Sequence, residues 1–253
     1  MGGRARLVHL VYSDRALPPE FHGLVAYQLT DLHLRWPSRL YRQLIEFVSG
    51  VRADLWLLTG DLLETGRALE LVARLVRHLD AEHGVFGVLG NNDHRAIAPA
   101  RTPAEVLEEL GVRVLCNCAT AITRGSARLW LAGVDDPSWW QDDVAAALAD
   151  VPEGEVSVLL AHSPDCVWEA AEHRAGLILC GHTHGGQLCL PVIGALQAGT
   201  KRRNVGRRFA SGVLRVGESL VYVCRGLGTS WVPIRLFCPR EVARIEFRRA
   251  AES

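Results

Sequence analysis

A chain of 253 residues, 49% hydrophobic and 22% charged, has the material for a sizeable core, which excludes a disordered or fibrous protein. Its 28 basic and 28 acidic residues cancel, so global charge argues against a nucleic-acid partner. Seven cysteines, an odd number at irregular spacing, argue against a disulfide framework and for reduced thiols in the cytoplasm. The N-terminal "MGGRARLVHLVYSD" is too short in apolar residues for a signal peptide, and no apolar run reaches ~18 residues. The expectation is a cytoplasmic protein, at most peripheral to a membrane, with residues 1–253 as one domain.

Along the chain, "LVAYQLTD" (24–31) predicts a strand. "SRLYRQLIEFVSG" (38–50) predicts a helix with Ser38 as N-cap and Gly50 near its stop. "DLWLLTGD" (54–61) is a second apolar strand, and residues 66–80 have helical periodicity. "GVFGVLG" (84–90) is a third strand, and "NNDHR" behind it predicts a turn. "TPAEVLEEL" (102–110) opens with a capping-box pattern, Thr102 to Glu105, and Pro103 at the first helical position. Short strands follow in "VRVLCN", "ATAITRG" and "ARLWLAGVDD". Then come a helix (141–149), a strand (156–162), a helix (165–173) and a strand (176–184). "GVLRVGESLVYVCRGLG" predicts a hairpin turning at Gly217–Glu218, and "EVARIEF" a last strand. Alternating strands and helices with strand-rich insertions predict an α/β fold with more than one sheet.

Five predicted strands end on polar clusters: Asp31 and His33; Asp61; Asn91 to His94; His162; His182 and His184. Ligand sites of open α/β sheets lie beyond the carboxyl ends of strands, so the clusters can converge. Residues i and i+2 of an extended segment share a side, so Asp31-x-His33 and His182-x-His184 can each present two groups to one place. Carboxylate, amide and imidazole together suit Mn, Fe or Zn. A carboxylate such as Asp61 can bridge two ions. Two ions ~3.5–4 Å apart can hold a hydroxide for in-line attack on phosphorus.

The ordered series "DLH" (31–33), "GD" (60–61), "GNND" (90–93), "AHSPD" (161–165) and "GHTHGGQ" (181–187) resembles the calcineurin-like metallophosphoesterase superfamily. "LAGVDDP", "HTHGGQLCLP" and "CRGLGTSWVPIRLFCPREVARIEF" look like its bacterial branch of small, often membrane-associated phosphodiesterases, which includes UDP-diacylglucosamine pyrophosphatases. The resemblance implies two mixed β-sheets packed face to face with flanking helices. It implies two divalent metal ions (Mn, Fe or Zn), one held by Asp31, His33, Asp61 and His184, the other by Asp61, Asn91, His162 and His182. Its activity would be hydrolysis of a phosphodiester or pyrophosphate of a lipid-linked or nucleotide-linked compound. A phosphomonoesterase and a catalytically weak metal-binding scaffold stay open as alternatives.

One departure stands out. Many family members carry His where this chain has Asn92, placed to stabilise phosphoryl oxygens or protonate the leaving group. Asn donates a hydrogen bond but is no acid. Asn92 therefore points to a good leaving group such as phosphate, unless His94 takes over the proton. Asp93 is expected to fix the loop by hydrogen bonds. Arg202, Arg203, Arg207 and Arg208 in "TKRRNVGRR" are candidates for binding the substrate's phosphate or an anionic membrane; a merely solvated basic loop is the alternative. Trp139 and Trp140 are candidates for an apolar wall, with core packing of one ring as the alternative, and Trp36 is expected to pack.

Overall fold

The computed structural model describes residues 5–97, 101–196, 200, 205–230 and 233–251. All five residues of the strand Leu55–Thr59 are buried. Leu55 and Leu57 enter one hydrophobic cluster, Trp56 and Leu58 another. That is the two-residue period of a strand covered on both faces, and it is why the sequence reads there as an unbroken apolar run.

Two six-stranded sheets result. In spatial order the first holds Arg6–Asp14, Glu241–Arg249, Val25–Leu29, Leu55–Thr59, Val85–Val88 and Arg113–Val114. The second holds Gly212–Val216, Ser219–Val223, Leu177–Cys180, Ser157–Leu160, Ala127–Gly133 and Cys118–Arg124. Both are mixed: Val25–Leu29 lies parallel to Leu55–Thr59 but antiparallel to Glu241–Arg249. Leu177–Cys180 is flanked by parallel neighbours, while Cys118–Arg124 pairs antiparallel with Ala127–Gly133. Leu57, Val88 and Phe247 of the first sheet meet Leu131, Leu160 and Leu179 of the second in one shared core. The outer face of the first sheet is covered by the helices Arg39–Ser49, Leu69–Val76 and Pro103–Glu109. Val144–Leu148 and Val167–Glu172 cover the second. Helices outside and two sheets inside is the predicted fold class.

Local chemistry sets several boundaries. The Ser38 hydroxyl accepts from the Tyr41 N–H, and Gly50 caps the other end of that helix. Thr102 and Glu105 form the reciprocal capping box. The hairpin 212–223 turns on Gly217 and Glu218. Two elements differ from expectation. Arg6–Asp14 is a nine-residue strand pairing parallel with the last strand, although its sequence gave no such signal on its own. "NNDHR" is no simple turn but the short helix Asn91–Ala96. Asp93 makes the difference by accepting from the N–H groups of Gly90, Leu62 and Leu63. All seven cysteines are free. No helix among the described residues is long and apolar enough to cross a membrane.

Candidate active site

The polar strand ends of both sheets meet. Asp31, Asp61 and His162 are almost wholly buried, and His33, Asn91 and His184 nearly so. Asp31, His33, Asp61, His182 and His184 all adopt positive φ, between 45° and 68°. Such non-glycine conformations cost of order 1–3 kcal/mol each and persist where surroundings over-determine them. The motif glycines supply part of that surrounding. A Cβ on Gly90 would collide with the backbone and carboxylate of Asp61, and one on Gly181 with Thr30 and the Asp31 carboxylate. Only glycine lets these loops approach so closely.

Distances group the side chains around Asp61. Its Oδ2 lies 3.5 Å from His33 Nε2 and 3.4 Å from His162 Nε2. His184 Nε2 is 3.0 Å from His33 Nε2 and 3.3 Å from Asp31 Oδ1. His182 Nδ1 is 3.1 Å from His162 Nε2. Within this cluster, two sets of donors lie close enough to share a cation, Asp31 with His33 and His184, and Asp31 with Asp61 and His162. Asp31 thus joins both sets, whereas the family resemblance implied that it serves one ion.

The tautomers of His33 and His162 favour metal binding. His33 Nδ1–H donates to Glu64 at 2.6 Å, and His162 Nδ1–H donates to the Thr59 carbonyl at 2.9 Å. In their neutral forms both rings turn a bare Nε2 toward the Asp61 carboxylate, lone pair against lone pair, unless a cation intervenes. The Asn91 amide oxygen is buried without a hydrogen-bond partner. An orphaned acceptor beside bare imidazole nitrogens and two carboxylates fits a divalent cation. Arg235 Nη2 lies 3.2 Å from His184 Nδ1. Arginine can only donate, so a neutral His184 carries its proton on Nε2 in this arrangement; binding a cation at Nε2 requires that proton to move to Nδ1 and the Arg235 contact to give way.

Charges are distributed accordingly. Burial opposes ionisation of Asp61, but His162, His33 and the Asn92 N–H outweigh it and hold the carboxylate well below its usual range. The carboxylates in turn raise His162 and His33 against their own burial, so without a cation a proton takes the place on Nε2. Burial and neighbouring His162 push His182 down to about 4. Burial likewise pushes His184 down to about 3, with His33 and Arg235 adding to the effect. Both rings are therefore neutral and available as ligands.

The 92–95 segment lies beside this centre. Asn92 donates its backbone N–H and its side-chain amide to Asp61, both at 2.7 Å, and accepts from Arg95 at 2.7 Å. Its amide is thus spent on Asp61 here rather than aimed at open space. His94 Nε2–H donates to Asp135 at 2.6 Å, and its ring lies against Trp139, centroids 5.6 Å apart. Burial lowers the His94 pKa, but Asp135 more than offsets this and leaves it raised. Trp139 Nε1–H donates to the Asn91 carbonyl at 3.3 Å, which ties this wall to the centre. Trp140 is 76% exposed and Trp36 62%, so Trp36 is not core packing as expected. Arg207 and Arg208 are exposed, and Arg202 and Arg203 lie outside the described residues.

Sequence reasoning missed Glu64, Arg95, Asp135 and Arg235. Asp135 follows the strand Ala127–Gly133 and could have been found by the same strand-end rule. Glu64 is brought beside His33 by the bridge Leu34↔Leu63, a pairing with no local signature.

Comparison with known proteins agrees with this geometry. The family model for calcineurin-like phosphoesterases matches residues 25–186. The chain belongs to the calcineurin-like phosphoesterase family. It is an enzyme, a metallophosphoesterase. It is 31% identical over 227 residues to the phosphodiesterase YaeI of Escherichia coli, covering 86% of this chain and 80% of that one. It is 28% identical over 232 residues to the metallophosphoesterase YkuE of Bacillus subtilis, covering 89% and 79%. It is 24% identical to the UDP-2,3-diacylglucosamine pyrophosphatase LpxG of Chlamydia muridarum, covering 93% and 88%. Among solved structures, a 5'-nucleotidase from Staphylococcus aureus superposes with a TM-score of 0.52 at 14% identity, over 91% of this chain and 55% of that one. That match speaks for the fold alone.

Proposed function

We propose that this phosphoesterase hydrolyses a phosphodiester or pyrophosphate bond of a lipid-linked or nucleotide-linked compound at a centre of two divalent ions. The observation that carries the reading is the Asp61 carboxylate lying between His33 and His162, with the buried, unpartnered Asn91 oxygen in the same cluster. Asp31, His33, Asp61 and His184 would hold one ion, and Asp61, Asn91, His162 and His182 the other, with Asp31 close enough to assist both. Divalent ions supply Lewis acidity toward the phosphoryl group and an activated water.

The chain's own residues do the rest. Glu64 and the Thr59 carbonyl fix the tautomers of His33 and His162. Asn92 orients Asp61 through two hydrogen bonds, and Arg95 locks Asn92. His94, held by Asp135, keeps a proton available beside the site for a leaving group that needs one. A diphosphate substrate has a phosphate leaving group and needs that proton least, which is the direction Asn92 suggests.

Arg207 and Arg208, with Arg202 and Arg203, would meet the substrate's anionic part or an anionic membrane surface. Exposed Val192, Ile193, Ile234 and Phe237 support a peripheral contact of this kind on the cytoplasmic side. The LpxG relative acts, by its name, on a diacylated sugar nucleotide, which joins both substrate classes. The whole chain is taken as one unit because its first and last strands pair along nine residues.

Metal-depleted protein reloaded separately with Mn, Fe and Zn tests the reading. Bis(p-nitrophenyl) phosphate should be cleaved in preference to p-nitrophenyl phosphate, with two ions bound per chain. Preference for the monoester would replace the reading by a phosphomonoesterase, and no turnover with two ions bound would leave a scaffold.

A further inference from the structure

A groove that the catalytic reading does not use begins at the metal-site residue His33. Its cavity of about 330 Å³ has Leu32, Leu40, Leu44 and Leu227 among its walls, with exposed Trp36 at its mouth. A second cavity of about 300 Å³ shares Leu40, Leu44 and Leu227 and continues past Phe47 to Leu7 and Val242. Leu40, Leu44 and Phe47 are successive positions on one face of the helix Arg39–Ser49. Leu40 to Phe47 spans about 10 Å of helix axis. The two cavities therefore form an apolar track running from the catalytic centre along a helix.

Positive charge is denser at the His33 end of that track. Arg35, Arg39 and Arg240 line the cavity beside His33, whereas Arg6 is the one cation among the residues lining the second cavity, beside Leu7, Phe47 and Val242. Arg35 pairs with Glu64 at 2.9 Å, and Glu64 is the residue holding His33. Cations near the phosphoryl position and leucines beyond it match an anionic head carrying an aliphatic tail. A nucleobase would fill the space near Trp36 and leave the extension along the helix unused.

We infer that the groove along the helix Arg39–Ser49 binds the alkyl chain of a lipid-phosphate substrate whose phosphoryl group sits at His33. This rests on the phosphoesterase reading and narrows its substrate to the lipid-linked class. Burying each further methylene strengthens binding about threefold to fourfold until the track is full.

The test is calorimetric titration of ethyl, hexyl and decyl phosphonate, below their micellar concentrations, into Mn-loaded protein. Affinity should climb with chain length. Leu40→Glu, which puts a charge in the shared wall, should flatten the series. Trp36→Ser should reduce the slope and, at an exposed position, does not endanger folding; it decides the matter if Leu40→Glu fails to fold. Val213→Glu, an exposed apolar position on the strand Gly212–Val216 of the other sheet, should leave the slope unchanged. A flat wild-type series, a slope untouched by both groove variants, or one abolished equally by Val213→Glu would each overturn the inference. Failure of the phosphoesterase reading would look different: the slope would persist while bis(p-nitrophenyl) phosphate went uncleaved.

Discussion

The proposed metal end of the molecule and its proposed substrate rim are built on opposite principles. Around Asp61 nearly every polar atom is buried and paired, and five left-handed residues are held by close glycine contacts and charged hydrogen bonds. At the rim, Val192, Ile193, Ile234 and Phe237 face solvent on two segments joined by the short bridge Leu188↔Leu236. Rigid strand ends carry chemistry that tolerates little displacement, and exposed loops carry recognition that varies with substrate. Perturbing the metal end should therefore change turnover by orders of magnitude. Perturbing the rim should change binding by small factors.

The largest effect expected is from Asp61→Ala. A bridging carboxylate serves both ions, so bound metal should fall from about two ions to one or none. Loss of several kcal/mol of charge stabilisation lowers kcat by roughly 10³-fold or more. Metal analysis beside circular dichroism checks it; two retained ions with full turnover would remove Asp61 from the centre.

His94→Ala comes next and is selective. Alkyl phosphodiesters should slow by ~10²–10⁴-fold, while aryl esters and pyrophosphates change little, because only a poor leaving group needs a donated proton. Asp135→Asn sharpens the point through pH. Asp135 raises the His94 pKa, so wild-type His94 stays protonated to higher pH than an ordinary histidine. Removing that charge should shift the alkaline limb of alkyl-ester hydrolysis to lower pH and leave the aryl-ester profile in place. If Asn92→His raises alkyl-ester activity while His94→Ala does nothing, the missing acid belongs at position 92 and His94 is only part of the wall.

Glu64→Gln probes the support of the metal end without touching a donor atom. Loss of the carboxylate that orients His33 should cost about 10–100-fold in metal affinity or activity. An unchanged metal dissociation constant would show that the His33 tautomer is set elsewhere.

The smallest effects belong to the rim. Replacing Arg202, Arg203, Arg207 or Arg208 singly by Ser should weaken binding to anionic vesicles by roughly 1 kcal/mol, about fivefold, at the surface. The kcat for a small soluble diester should stay as it is. Equal vesicle binding by wild type and every variant would mean that this loop is only solvated.

The sequence by itself determined an α/β class with more than one sheet, because strands buried on both faces read as short apolar runs between helical periodicities; the face-to-face pair of mixed sheets was implied by the family resemblance. The sequence placed Asp31, His33, Asp61, Asn91, His162, His182 and His184 at strand ends, since polar residues terminate such runs abruptly. It also located Ser38, Thr102 and Gly217–Glu218, whose caps and turn are decided within a few residues. Tertiary structure alone decided what acts at a distance. The strand Arg6–Asp14 exists by pairing with Glu241–Arg249, more than 200 residues away in the chain. The helix at Asn91–Ala96 depends on the Asp93 carboxylate reaching Leu62 and Leu63. Glu64, Asp135 and Arg235 join the site through contacts set by sheet register. Trp36 is exposed and lines a groove, and no one-dimensional pattern records a groove. Local propensity and burial period act over a handful of residues, whereas tautomers, second-layer hydrogen bonds and cavities depend on which distant surfaces meet.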